Sequence, residues 1–166
     1  MTKILAAIVL FLAPLTGAVA EEALAEPTVD VSKPSFISIM LRRPQIFDDL
    51  PKNREYTIFA PTDEAFNNLD PAIRDRIFEP EFGEQLDKLM HNHIIFGKYN
   101  IEDLKDGMVI ESVGGKNLLI THENGKVMIN GAAIVVPDGI TDKGVLHEID
   151  KVLVPQDLDL KTLIVP

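Results

Sequence analysis

The stretch YTIFAPTDEAF, residues 56–66, determines how the fold begins. Residues 56–60 are mostly aromatic or β-branched, which predicts a short buried strand, and Pro61 ends it because proline has no N–H for a sheet ladder. Thr62 predicts the start of a helix, since its hydroxyl can accept a free backbone N–H of the first turn. The two acidic residues that follow carry negative charge where the helix dipole favours it. A strand that turns directly into a helix is therefore expected here.

Further helices are predicted downstream of this stretch. Asp70-Pro71 repeats the start signal, with proline at the first helical position, where a missing N–H costs nothing. Pro80 starts another helix, because the residues after it recur on one face at helical spacing: Phe82, Leu86, Leu89, Met90 and His93. Residues 94–96 are apolar and predict a strand.

The second half of the chain has the patterns of β-strands. Strands are predicted over residues 108–113, 116–122, 127–130, 133–136 and 145–154. Asn124-Gly125 predicts a two-residue hairpin turn, since both positions must tolerate positive φ, and Gly131 predicts a bulge or bend. Helices come first and a meander of strands follows, so the predicted class is α+β in one domain.

The N-terminus has the pattern of an exported protein. Residues 1–20, MTKILAAIVLFLAPLTGAVA, combine a positive start, a short apolar run and a small-x-small ending, which predicts a secretory signal peptide cleaved after Ala20. Residues 21–34 are predicted to be a flexible leader, and residues 35–50 to be helical in their first part, interrupted at Pro44. We therefore expect a secreted product, periplasmic or extracellular. No later stretch approaches the roughly 20 apolar residues that span a bilayer, so no membrane insertion is expected after cleavage.

Composition narrows the class of protein further. The chain of 166 residues has a formal net charge of −10 with the charges mixed along it, which argues against nucleic acid and anionic lipid as partners. It contains no cysteine, which excludes thiol catalysis, iron–sulfur clusters and cysteine-ligated zinc. It also has no Asn-x-Ser/Thr sequon. Together these features favour a bacterial origin.

Motifs for catalysis or cofactor binding are incomplete. Ser112 lacks the first glycine of a nucleophile elbow, and the spacing of Gly139 and Gly144 is that of a phosphate loop without its lysine. His91 and His93 could share a metal only if both lay on one strand, whereas a helix–strand junction is predicted there. His93 and His147 lie on apolar faces, which predicts core histidines whose ring nitrogens bond the backbone. We predict no enzyme activity, no cofactor and no metal site.

Four of these segments are similar to one known family. Residues 35–155 resemble a fasciclin-like domain, the module of secreted adhesion and matrix proteins. Four segments carry the resemblance: YTIFAPTDEAF, LMHNHIIFG, KVMINGA and GVLHEIDKVLVP. The resemblance implies a wedge-shaped β-sandwich of two sheets with several helices in the N-terminal half. Residues 156–166 would form a C-terminal tail. A match of this kind bears on fold more than on function.

The resemblance also points to candidate partner-binding residues. Animal members carry a Tyr-His motif tied to integrin binding, of which only His93 matches here, because Asn92 takes the tyrosine position. They also carry a Pro-Asp-Ile segment, in which Asp138 matches, Gly139 replaces the isoleucine and Ile140 follows. Asp138, Ile140 and His93 are the candidates. The alternative for Asp138 is an ordinary Pro-Asp-Gly turn.

Three functions remain open from the sequence. The leading hypothesis is a non-enzymatic extracytoplasmic binding module for cell adhesion or for matrix or surface association, with a protein or polysaccharide partner. The second is a periplasmic receptor for a small ligand or polysaccharide, with a cleft between sheets and helices. The third is a structural or stress protein that binds another exported protein. The sequence leaves the oligomeric state open.

Overall fold

The computed structural model describes residues 44–158 except residues 49 and 78. Within these residues the strands are β1 Tyr56–Pro61, β2 Ile94–Phe96, β3 Val109–Glu111, β4 Asn117–Glu123, β5 Lys126–Ile129, β6 Ala132–Thr141 and β7 Gly144–Ile149. The α-helices are α1 Asp63–Asn67, α2 Pro71–Arg76 and α3 Gly83–His91, and short 3₁₀ turns cover Pro44–Phe47, Pro80–Phe82 and Ile101–Asp103. The predicted signal peptide, the leader and most of the tail lie outside the described residues, as does a helix before Pro44.

The strands form one continuous order, β2-β1-β7-β6-β5-β4-β3. β1 and β7 are parallel, and the other neighbours are antiparallel. The two outer strands approach each other, because Ile95 bridges Ser112 and the N–H of Val113 donates to the carbonyl of Ile94 at 2.7 Å. The two sheets that the resemblance implies are therefore joined into one strongly curled sheet.

The curl separates two hydrophobic clusters. All seven strands contribute to the cluster on the inner face, which includes Phe59, Ile95 and Ile120. The second cluster lies on the outer face of β1 and β2, where Ile58 and Ile94 pack with the helices through apolar residues of α1 and α3: Phe66, Leu86, Leu89 and Met90. Because side chains alternate along a strand, β1 supplies both clusters, which explains why five of its six residues are apolar or aromatic.

The helix starts follow the predicted signals. Thr62 caps α1, since the N–H of Ala65 donates to its Oγ1 at 3.1 Å. α2 begins at Pro71, and α3 follows directly after the turn at Pro80–Phe82. In the part of the chain that the structure describes, no helix is long and apolar enough to cross a membrane.

Two tight turns build the β4–β5–β6 hairpins. Asn124 and Gly125 have φ of 50° and 76°, which confirms the predicted turn. Asn130 and Gly131 have φ of 48° and 80° and join β5 to β6 directly, with Ile129 paired to Ala132. The bulge or bend expected at Gly131 is corrected to a second turn of the same kind, because Asn130 also accepts positive φ.

Two predicted strand ends need correction. β6 does not stop at Val136 but continues to Thr141, and its pairing with β7 shifts register between Ile134 and Gly139. Pro137 is tolerated there because a bulge needs no ladder N–H. The Pro-Asp-Gly segment is therefore a bulge inside a strand and not a turn between strands.

β7 ends at Ile149, although a strand was predicted to residue 154. The chain after it leaves the sheet, and Leu153 remains buried while Val154 is 36 % exposed. The Leu153 backbone is bonded by two side chains instead of a neighbouring strand. Its N–H donates to His93 Nε2 at 2.9 Å, and its carbonyl accepts from Asn92 Nδ2 at 2.7 Å.

Candidate partner-binding site

An apolar segment of β6 faces solvent. We call residues 135–140 the β6 bulge. Within it Val135 is 45 %, Val136 is 50 % and Ile140 is 91 % exposed. The register shifts leave residues 135, 137 and 138 without a partner on β7, whereas Val136 and Ile140 remain paired with Glu148 and Val145. The bulge therefore exposes large hydrophobic side chains on both sides of Asp138.

Asp138 is held in an uncommon conformation at the centre of the β6 bulge. Its φ is 59°, a value that few residues other than glycine, asparagine and aspartate adopt. Its Oδ1 accepts the N–H of Ile101 at 2.8 Å, and its own N–H donates to His147 Nδ1 at 3.2 Å. The side chain is still 40 % exposed, so the carboxylate remains accessible to a partner.

His147 supports the β6 bulge from below. It is completely buried, stacks on Phe59 with ring centroids 5.7 Å apart, and its Nε2 lies 2.9 Å from the Tyr99 carbonyl. Because Nδ1 accepts the Asp138 N–H, the proton is on Nε2, which donates to Tyr99. Burial lowers the pKa of His147, which favours this neutral form. The prediction of a core histidine bonded to backbone is confirmed.

His93 is also a core residue. It has no exposed surface, its Nδ1 lies 2.7 Å from the Leu89 carbonyl, and its Nε2 accepts the Leu153 N–H. Burial lowers its pKa from 6.5 to about 4. A direct partner contact by this ring would require the surrounding core to open, so His93 is not part of the exposed surface.

The structure brings Asp138 and Ile140 together but places His93 elsewhere. Ile140 pairs with Val145 near the start of β7, whereas Leu153, the residue that His93 bonds, follows the end of β7. The three candidates therefore do not form one site. Asp138 and Ile140 remain as a surface, with His147 as a positioning residue beneath them.

Asn92 has a role that the sequence analysis missed. It is buried, bonds the Leu153 carbonyl, and its Oδ1 accepts from Ser112 Oγ at 3.2 Å. The sequence analysis noted Asn92 only because it stands where the Tyr-His motif of animal members has a tyrosine. No local pattern identifies the role, because the contact joins residues 61 positions apart.

Metal-binding clusters are absent from the described part of the chain. Within residues 44–158, apart from 49 and 78, no three His, Asp or Glu side chains are grouped so as to hold a metal ion. His91 Nε2 lies 3.0 Å from the Ile46 carbonyl, while His93 points into the core. The predicted helix–strand junction does lie at this pair, since α3 ends at His91 and β2 begins at Ile94.

Comparison with known proteins shows the family. The model of the Fasciclin domain matches residues 34–155, so this chain belongs to the fasciclin-domain family. Periostin from Homo sapiens is 39 % identical over 118 residues, covering 66 % of this chain and 14 % of periostin. Protein sll1483 from Synechocystis sp. is 33 % identical over 100 residues, covering 60 % of this chain and 55 % of that protein. The chain therefore spans only part of these relatives.

A solved structure supports the fold. A pair of FAS1 domains from the insect cell adhesion molecule Fasciclin I superposes with a TM-score of 0.62 at 18 % identity. The match covers 76 % of this chain and 49 % of that chain. The similarity shows that the curled seven-stranded sheet is the fold of the FAS1 domain.

Proposed function

We propose that this chain is a non-enzymatic binding module that acts outside the cytoplasm in cell adhesion or matrix association, and that the β6 bulge contacts a protein partner. Membership in the fasciclin-domain family and the fold shared with an insect cell adhesion molecule support the general role. The exposure of Ile140 at 91 %, beside an accessible carboxylate, is the observation that supports the site.

The energetics of the β6 bulge suit a protein partner. Burying a side chain as large as that of Ile140 against a partner contributes about 1.5–3 kcal/mol to the free energy of binding. Asp138 is tied to Ile101 and to His147, so the surface is held in position before a partner arrives. A preorganised surface loses less conformational entropy on binding than a free loop does.

Export is part of the proposal. The pattern of residues 1–20 supports cleavage after Ala20 and release from the cytoplasm. N-terminal sequencing of the protein recovered outside the cytoplasm should begin at Glu21. A protein that retains Met1 in the cytoplasmic fraction would contradict this part.

The site is tested by attachment. Beads coated with the purified chain should bind cells or matrix of the producing organism, and Ile140→Ser should reduce attachment at least about tenfold, because the lost burial is worth more than 1.4 kcal/mol. Asp138→Asn tests the contribution of the negative charge alone, because asparagine can still accept the Ile101 N–H and tolerate positive φ.

Val109→Ser is the matched control. Val109, like Ile140, is an exposed β-branched apolar residue. It is 57 % exposed, but it lies on β3 and outside the β6 bulge. Its substitution should leave attachment unchanged. Equal attachment by the Ile140→Ser chain and the unmodified chain would refute the β6 bulge as the contact surface.

A further inference from the structure

We propose that this chain has a second ligand site, a polar groove that binds an acidic oligosaccharide. Two adjoining cavities of ≈ 330 Å³ and ≈ 430 Å³ share Lys116, Pro155 and Asp157. Each lies within the range of roughly 300–1,000 Å³ that is usual for small-ligand sites. The polar side chains that line the polar groove include Gln85, Lys88, Lys116, Asn117, Gln156 and Asp157, and the apolar Val154, Pro155 and Leu158 also line it.

The walls of the polar groove are fixed by buried contacts. One wall is α3, a second is the turn between β3 and β4, and the third is the segment after β7. The N–H of Gly114 in the turn donates to the His91 carbonyl at the end of α3 at 3.1 Å. A Cβ at Gly114 would lie 3.3 Å from the Asn92 nitrogen, so glycine permits this close approach. Asn92 in turn holds the third wall through Leu153. The groove is therefore formed before a ligand binds.

The lining of the polar groove is suited to hydroxyl groups. Gln85, Asn117 and Gln156 carry primary amides, which both donate and accept hydrogen bonds, as sugar hydroxyls do. The Oε1 of Gln85 is buried and has no hydrogen-bond partner among the described residues. Because this oxygen has almost no accessible surface, the exposed amides of Asn117 and Gln156 are the groups available to a ligand hydroxyl. A ligand rich in hydroxyl groups fits this chemistry better than an apolar one.

The charges select an acidic ligand. Lys116 Nζ lies 2.7 Å from Asp157 Oδ2, and the hydrogen bond from Lys116, with the nearby charge of Lys88, lowers the pKa of Asp157. Two cations thus face one carboxylate, in a chain whose net charge is −10. Among the residues that the structure describes, Lys88 forms no salt bridge, so its ammonium can pair with a uronate carboxylate. Oligogalacturonate has both the hydroxyls and the acid group that this arrangement needs.

Ile140 of the β6 bulge lies at the end of the β6–β7 pair that is away from the polar groove. Ile134 pairs with Ile149 at the groove end, and Ile140 pairs with Val145 at the other end. Both surfaces can therefore be occupied together. One domain would then link a protein partner to an acidic polysaccharide, a bridge that otherwise requires two copies of the chain.

Calorimetric titration of the full chain with a short oligogalacturonate tests the proposal. Binding is expected to weaken as salt rises, and Lys88→Gln should lower the affinity about threefold to fivefold, the usual value of an exposed charge pair. Lys143→Gln removes the same charge at the opposite end of the sheet, in the turn before Gly144, and should leave the affinity unchanged.

Three results would overturn the proposal. They are no heat of binding at millimolar ligand, equal binding of a neutral oligoglucose of the same length, and equal losses in Lys88→Gln and Lys143→Gln. The result is independent of the proposed function, since Ile140→Ser should leave the affinity for oligogalacturonate unchanged.

Discussion

Leu153 lies in the core without a strand beside it, and two side chains replace the missing ladder. Asn92 Nδ2 donates to the Leu153 carbonyl, and His93 Nε2 accepts the Leu153 N–H. Both polar side chains are buried, which is tolerated because each is hydrogen-bonded. The pair fixes the path of the chain after β7 and with it one wall of the polar groove.

Asn92→Ala should lower the free energy of unfolding by about 1–3 kcal/mol. The substitution leaves the Leu153 carbonyl and the Ser112 hydroxyl short of a partner in a buried site. Urea denaturation measures the change. Asn117→Ala is the control at an exposed position and should change stability by less than about 0.5 kcal/mol. Equal effects of the two substitutions would contradict the role of Asn92.

His93 predicts a pH dependence of stability. Above pH 6.5 the ring is neutral in the folded and the unfolded chain, so its contribution is fully present. Below pH 6.5 the unfolded chain takes up a proton that the folded chain does not take up until about pH 4, so the free energy of unfolding falls across this window. The loss is on the order of 3 kcal/mol, because one pKa unit corresponds to about 1.4 kcal/mol. His147 acts in the same direction.

Denaturation at a series of pH values, compared with the variant His93→Gln, checks this expectation. The variant is less stable at neutral pH, because it loses the fit of the imidazole, but its stability should fall less steeply between pH 6.5 and 4. A slope identical to that of the unmodified chain would assign the pH dependence to other groups.

At the scale of elements, β1 and β7 are the centre of the structure. They pair in parallel from Tyr56 with Gly144 to Pro61 with Ile149, and they join the segment YTIFAPTDEAF to the segment that starts at Gly144. A Cβ at Gly144 would lie 1.9 Å from the Tyr56 carbonyl oxygen, a distance no side chain can occupy. Glycine is required there by the closeness of the neighbouring strand.

Gly144→Ala should therefore destabilise the chain by about 1–3 kcal/mol or more, the usual effect of overpacking against backbone. Gly125→Ala gives a comparison, because a Cβ there meets nothing within 4 Å and only the positive φ of 76° opposes it. Thermal unfolding should show the larger loss of stability for Gly144→Ala. A larger loss for Gly125→Ala would mean that the β1–β7 contact can relax.

For the whole molecule, the curled sheet should protect its backbone amides from hydrogen exchange to different extents in different strands. β1 and β7 each have a strand on both sides, and β1 is covered on both faces by the two hydrophobic clusters. β3 lies at the end of the strand order, and the residues just after it contact β2 through the Ile95–Ser112 bridge and the Val113–Ile94 hydrogen bond. Local opening should start where few contacts must break.

Hydrogen exchange followed by mass spectrometry should find the slowest amides in β1 and β7, and faster exchange in β3. The physical reason is that opening β3 exposes far less apolar surface than opening β1. Exchange in β3 as slow as in β1 would show that the sheet opens only as one unit.

Much of the fold could be predicted from short patterns. The strand and capped helix start at Thr62, the apolar face of α3 and the Asn124-Gly125 turn all depend on nearby residues, so local propensity and periodicity were sufficient. The strand ends near Val136 and Val154 were wrong, because a strand ends where its neighbour stops pairing, and an apolar pattern does not contain that information.

The candidate site divides in the same way. The family resemblance pointed to Asp138, Ile140 and His93 as candidates, and the alternation of residues along the strand assigned His147 to the core. Only the tertiary structure placed Ile140 on the surface, His147 beneath Asp138, and His93 in the core, where its ring bonds the Leu153 backbone. These outcomes depend on contacts between distant segments, which the curl of the sheet creates. The polar groove has the same origin, since its walls come from three segments that only the folded chain brings together.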